Sequence, residues 1–274
     1  TSLPEFDKIV DIEVIAMMIR CSEKHRQECL DYLRQNPSLN LFLIGDIENY
    51  GFNQGFQTIF IDKDEFVHGI YLVYYHNLVI ASEENRVDVQ FVERLIQEYD
   101  IQAIQGRKAV LDTLSFDAFT REECLFCQLS ELKVKAESDF LIQQARPEDA
   151  ARLKSLLDEV FDMDNEVDMI ARRIAEQEGR HFFIEQQNQV VCQANSTAET
   201  ADAAMIGGVA TRVDWRRHGL ASAVMTALCS QLLSEGKKPC LFFENEEAGR
   251  IYSRLGFEPI SGWKLMLRQK EGSH

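Results

Sequence analysis

Residues 207–221 read Gly-Gly-Val-Ala-Thr-Arg-Val-Asp-Trp-Arg-Arg-His-Gly-Leu-Ala. The run begins as a strand, turns charged at Arg212, and reaches Leu220, Val224, Leu228 and Leu232, which recur every four residues with Ala221 and Met225 beside them. That spacing predicts a helix packed on a sheet. The first N–H groups of a helix have no intrahelical acceptor and sit at the positive end of its dipole. Gly219 lets an anion approach the backbone, and Arg216 and Arg217 add charge, so the stretch suits a pyrophosphate. Taken alone, a basic helix start with Gly219 chosen for packing would read the same way.

The neighbouring sequence supplies a context. Phe140–Ala145 is strand-like, Arg146-Pro147-Glu148-Asp149 opens a helix carrying Leu153, Leu156, Leu157, Val160 and Phe161, and a second helix spans Glu166–Glu178. Strands at His181–Glu185, Gln189–Asn195 and Ala203–Val213 precede the helix at Leu220. Gly236 ends that helix, Pro239–Phe243 is apolar enough for a buried strand, and a helix at Glu246–Leu255 stops at Gly256 before a strand at Phe257–Ile260.

Within this order, Arg216-x-x-Gly219-x-Ala221 resembles the R/Q-x-x-G-x-G/A motif of the GNAT (Gcn5-related N-acetyltransferase) superfamily. Asn245-x-x-Ala248-x-x-x-Tyr252-x-x-x-Gly256-Phe257 resembles that family's second signature. Two signatures in order and at the right separation are more specific than either alone, and the resemblance covers residues 139–270. It implies an acyl-CoA donor, most simply acetyl-CoA, and no metal. Its pantetheine arm would lie along Val209, Ala210 and Thr211, and its pyrophosphate on Arg216, Arg217, His218, Gly219, Leu220 and Ala221. Asn245 and Ala248 of the second signature are carried over as further donor contacts, and Tyr252 matches the tyrosine that protonates the departing thiolate. A phenol stays protonated at neutral pH, which suits that role. A backbone N–H near Val209 is expected to stabilise the oxyanion. The base is not readable: Asp214 and Glu244 end strands or loops, and a water chain or a carboxylate from the other half would serve.

The first half repeats the order of elements without the motifs. Ser22–Arg34 and Leu39–Tyr50 read as helices, Phe56–Ile61, Phe66–Tyr75 and Leu78–Ala81 as strands, and Asp88–Tyr99 as a helix. A strand at Ile101–Ile104, a helix at Gly106–Leu114 and a strand at Cys124–Leu129 follow. The expected fold is therefore mixed α/β, with two GNAT-like domains in tandem, each a mostly antiparallel mixed sheet flanked by helices. The expected boundaries are a degenerate domain at 1–133, a linker at 134–138 and a catalytic domain at 139–271. Where the second half has its phosphate loop, the first has Ala81-Ser-Glu-Glu-Asn-Arg-Val-Asp88, without glycine and net negative, so only one half should hold a donor. The segment Asn36–Gly51 resembles one seen near the start of bacterial two-domain members, and Asp46, Glu48 and Asn49 within it are candidate acceptor contacts.

Composition narrows the class. The net charge is −16, of which −11 falls before Asp139 and −5 from Asp139 onward, so neither half offers the basic face of a nucleic-acid binder. The same balance argues against aminoacyl-tRNA as a substrate. No apolar run of about 20 residues or secretory leader is evident, which points to a cytoplasmic protein without a membrane partner. Seven scattered cysteines read as reduced thiols. Cys124-Leu-Phe-Cys127 has no second ligand pair, and Asp162-Met-Asp-Asn-Glu166 lacks the glycine and glutamate of a calcium loop, having Val167 and Arg173 there. The expected function is N-acetyl transfer to a primary amine of a small molecule or peptide. The alternative is a non-catalytic acyl-CoA sensor, and a homodimer is left open.

Overall fold

In the computed structural model, which describes residues 17–161, 166–244 and 246–269, the elements follow the order read from the sequence. The first half contains β1 (Met17–Arg20), α1 (Arg26–Leu33), α2 (Leu41–Tyr50), β2 (Gln57–Lys63), β3 (Val67–Tyr74) and β4 (Asn77–Ala81). It continues with α3 (Val89–Glu98), β5 (Ala103–Arg107), α4 (Lys108–Leu111) and β6 (Phe119–Gln128). The second contains β7 (Ile142–Gln144), α5 (Ala150–Phe161), α6 (Val167–Ala175), β8 (His181–Gln186), β9 (Gln189–Thr197) and β10 (Ala203–Thr211). It ends with α7 (Leu220–Ser234), β11 (Lys238–Phe243), α8 (Glu246–Leu255) and β12 (Glu258–Arg268). Asn245 and residues 162–165 of the calcium-loop imitation lie outside the described residues. No described helix is long and apolar enough to cross a membrane.

All twelve strands join one sheet in the order β1-β2-β3-β4-β5-β12-β6-β11-β10-β9-β8-β7. Most neighbours are antiparallel; β4–β5 and β10–β11 are the parallel pairs. The last strand of each half lies in the other. β12 pairs with β5 from Trp263↔Arg107 to Leu267↔Ala103, and β6 pairs with β11 from Cys240↔Gln128 to Phe243↔Leu125. Between them β6 and β12 run antiparallel from Glu258↔Gln128 to Arg268↔Phe119.

Helices cover both faces. α7 buries Leu220, Val224, Leu228 and Leu232 against Ile184, Val191, Ala204, Ile206 and Leu241, the stripe that its four-residue spacing predicts. Fully burying each leucine stabilises the fold by roughly 1.5–3 kcal/mol. α5 and α6 pack on Phe183, Val190 and Ala210, and α3 on Tyr71, Ile80 and Ile104. The two halves meet in an aromatic cluster from four elements. Phe126 of β6 stands edge-on to Phe242 of β11 at 5.0 Å, Trp263 of β12 lies 5.5 Å from Phe126, and Phe42 of α2 stacks on Phe242 at 6.2 Å. Each such pair adds about 0.5–1.5 kcal/mol beyond its buried area.

Four elements differ from the sequence reading. β12 continues to Arg268, because Pro259, Gly262 and Lys264 break an apolar alternation that the ladders to β5 and β6 nevertheless sustain. Lys264 is only 3% exposed and reaches Asp112 and, at 3.4 Å, Glu123, both in the first half. A buried ammonium is tolerable only with such partners. β6 begins at Phe119, its first five residues being mostly exposed, and α4 shrinks because residues 106 and 107 extend β5. β1 was not apparent from the sequence; it pairs with β2. The stretch at 129–141 has no regular structure, but its Lys133 and Ala136 N–H groups donate to Leu255 O (2.9 Å) and Thr226 Oγ1 (3.2 Å).

Without β6, β11 and β12 lose their common neighbour. Residues 129–274 produced alone should show no cooperative thermal transition, and co-expression with residues 1–128 should restore it. A cooperative transition in the isolated segment would show that the exchange is dispensable.

Candidate functional site

The site begins where two parallel strands part. β10 and β11 pair only from Ala203↔Lys238 to Met205↔Cys240, after which β11 follows β6 and β10 follows β9. β10 then bulges: its register with β9 shifts between Gly207 and Ala210. Gly208 has φ +54°, and a Cβ there would lie 1.9 Å from Asn195 Oδ1, so both the backbone and the space demand glycine.

The chain leaves β10 through a turn in which Arg216 Nε donates to Thr211 O at 3.1 Å and Trp215 packs edge-on to Phe140 at 5.7 Å. Gly219, at φ +76°, is the N-cap of α7 and supplies no side chain to its first turn. The first intrahelical bond of that turn runs from Ala223 N to Gly219 O at 3.1 Å, which leaves the N–H groups of Leu220, Ala221 and Ser222 without an intrahelical acceptor. A cleft of about 550 Å³ brings together the expected residues Val209, Thr211, Arg216, Arg217, Gly219, Leu220, Ala221, Ala248 and Tyr252. Two expected residues are elsewhere. The Ala210 side chain is buried against α5 and α6, because the bulge turns it to the other face, and His218 is exposed off the cleft lining. Asn245 lies outside the described residues.

The cleft adds residues that the sequence reading missed, chiefly Trp215, Ile251 and Arg254. Trp215 was quoted in the motif, but nothing local says that a tryptophan in a charged turn lines a cleft. Arg254 had a usable signal, since it follows Ile251 by one helical turn and continues the same helix side. Tyr252 sits between Phe243 (5.9 Å) and Phe257 (6.0 Å), and burial holds its phenol above the usual tyrosine range. It therefore stays protonated across the neutral range.

The corresponding region of the first half is closed. β4 and β5 pair from Asn77↔Ala103 to Ile80↔Gly106, and a Cβ on Gly106 would come within 2.8 Å of Ile80 O. Asp88 caps α3 by accepting from Phe91 N at 3.0 Å, filling with a carboxylate the position that Gly219 leaves open in α7. The preceding amides are also spent: Glu83 N donates to Tyr32 Oη (2.9 Å), Arg86 N to Ser82 Oγ (3.0 Å) and Asp88 N to Tyr71 Oη (3.1 Å).

Among the carboxylates considered from sequence, Asp214 and Glu244 are exposed and do not line the cleft, and Glu48 is paired with Arg34 at 2.6 Å. Asn49 is exposed. Asp46 differs, for its carboxylate has no hydrogen-bonding or ionic partner among the described residues, and burial pushes it up to about 7. It lies on α2 between Phe42 and Tyr50, on the helix that touches β10 and sets Gly45 against Thr200. Cys124 and Cys127 face opposite sides of β6, Cys127 toward α7 and Cys124 toward the aromatic cluster, so they cannot bind one ion together. Among the described residues no group of His, Cys, Asp and Glu converges as a metal site.

The geometry has counterparts among known proteins. Residues 171–266, about a third of the chain, match the GNAT acetyltransferase family model. A GCN5-related N-acetyltransferase from Sphaerobacter thermophilus shares the fold at TM-score 0.63 and 15% identity over 92% of this chain and 94% of that one. A GCN5-related N-acetyltransferase from Kribbella flavida aligns at TM-score 0.57 and 17% identity over 74% of this chain and 87% of that one. A tandem GNAT protein from the clavulanic acid biosynthesis pathway aligns at TM-score 0.59 and 11% identity over 92% and 97%. No curated protein matches the sequence. The match to the family model lies within the second half, and the fold of the whole chain is similar to that of a tandem GNAT protein.

Two variants test the site. Gly219→Ala places an L-residue at φ +76° in open space, so it should cost about 1–2 kcal/mol of stability measured by urea titration. For Asp46 the folded-state value lies above the unfolded one, so its neutral form is favoured by folding. Its contribution is complete below the unfolded value of 3.8 and lost as pH rises toward 7, at about 1.4 kcal/mol per unit. Urea titrations should show Asp46→Asn gaining on the wild type by a few kcal/mol between pH 5 and 8.

Proposed function

We propose that the chain is an acyl-CoA-dependent N-acyltransferase that moves an acetyl group from acetyl-CoA to a primary amine of a small molecule or peptide. One observation carries this reading: the parted β10–β11 wedge, the uncapped start of α7 and the Tyr252 phenol open on one cleft. The amides of Leu220, Ala221 and Ser222, with Arg216 and Arg217, suit the pyrophosphate, and the bare Cα of Gly219 leaves room for it. The pantetheine arm would lie along the edge of β10 that β11 abandons, at Val209 and Thr211. Ala248 lines the cleft, whereas His218, Ala210 and Asn245 remain donor contacts by resemblance only.

The reaction then follows from the residues. The amine nitrogen, as a free base, bonds to the thioester carbonyl carbon, and the oxyanion is met by an unpaired β10 amide near Val209. The C–S bond breaks as the C–N bond becomes an amide, the sulfur takes the Tyr252 proton, and the amine's surplus proton passes to solvent or a carboxylate. In this reading residues 1–133 supply no donor site and border the acceptor side of the domain at 139–271.

Tyr252→Phe should lower kcat by about 100-fold or more with the Kd for acetyl-CoA unchanged. Full turnover in that variant would remove the catalytic role. Tight acetyl-CoA binding without thiol release on any amine would favour a sensor.

A further inference from the structure

A second pocket, of about 270 Å³, is lined by the β10 residues just before those of the first: Gly207 and Gly208 line it, as Val209 and Thr211 line the donor cleft. Its other walls include Phe161 of α5, Arg173 of α6, His181 of β8 and Asn195 of β9. A thioester carbonyl at the bulge would face both cavities, so this pocket is where a nucleophile can reach it.

The charge in that pocket is unusual for a chain with a net charge of −16. Arg172 next door pairs with Glu176 (3.0 Å) and Glu178 (3.6 Å), whereas the half-buried Arg173 guanidinium has no ion pair or hydrogen bond among the described residues. The one other ionisable lining group, His181, is held neutral because burial pushes its imidazole down to about 4. Arg173 is therefore the sole full charge on the lining among the described residues, and it acts electrostatically on Tyr50 and Tyr74 of the first half. A planar guanidinium with no partner among the described residues matches a carboxylate, which it can hold by two parallel N–H···O bonds. The pocket is also smaller than the usual 300–1,000 Å³ of drug-sized sites.

We propose that this pocket binds the acceptor, that Arg173 holds a carboxylate on it, and that the acceptor is accordingly a small amino acid rather than a polyamine or other purely cationic amine. The carboxylate anchors at α6 while the amine points toward β10. This inference rests on the acyltransferase reading for its chemistry but not for its binding.

The test compares amino acids with their C-terminal amides as acceptors for acetyl-CoA, using the full chain and following released thiol. The free acids should be preferred, and Arg173→Gln should raise their KM about 30-fold or more and bring the acid-to-amide ratio close to one, with Arg173→Lys intermediate. Acetyl-CoA affinity, measured alongside, reports that each variant is folded. Preference for amides or polyamines by the wild type, or an unchanged acid-to-amide ratio in Arg173→Gln, overturns the proposal. Calorimetry of the same amino acids with the CoA-loaded chain separates the two readings. Arg173-dependent binding without turnover supports this proposal while removing the acyltransferase reading, and no binding of any amino acid overturns it.

Discussion

The antiparallel ladder between β6 and β12 is the interaction on which the rest of the molecule depends. Each strand is the last of its half, and each is inserted into the other half, so the ladder is at once the centre of the sheet and the junction of the two halves. Its backbone bonds are joined by the Phe126, Phe242 and Trp263 cluster and by Lys264, whose ammonium is compensated by Asp112 and Glu123 across the junction. The same arrangement fixes the site. β11 is held by β6 along the length over which it leaves β10, so the wedge stays open without a side chain propping it.

The halves use one topology to opposite ends. In the first, the parallel strands stay paired, the helix start is capped by Asp88, and the loop amides bond to Tyr32, Ser82 and Tyr71. In the second, the equivalent strands separate and the helix start is bare. The difference is a matter of satisfied versus unsatisfied backbone groups: a buried N–H needs an acceptor, and where the chain supplies none, a ligand can. Phe42 and Gly45 show what the closed half contributes instead, a helix face laid against Phe242 and Thr200 of the open one.

Much of this was legible in the sequence, for reasons that can be named. Helix stripes such as Leu220, Val224, Leu228 and Leu232 repeat with a period set by the helix itself, and Gly219, at φ +76°, stands where the backbone restricts the choice of residue. The strand exchange was not legible, because a strand's periodicity records which face is buried and not which strand lies beside it. β12 was cut short for a related reason: Lys264 violates the local rule, and the acids that reconcile it are more than a hundred residues away. Arg173 was read only as the wrong residue for a calcium loop, since nothing in its neighbourhood shows that Arg172 takes the nearby glutamates and leaves it without a partner among the described residues.

Reciprocal insertion of the last strands has a consequence for descent. Two copies of a single-domain ancestor that traded their final strands would form a closed twofold pair, each copy completed by the other. Joining the end of one to the start of its mate, through a stretch such as 129–141, reproduces the present strand order without any strand changing its neighbours. Fusion would also free the copies to diverge, because a change in one half no longer appears in both. The closed first half and the open second half are what such a pair can become once its symmetry is no longer enforced.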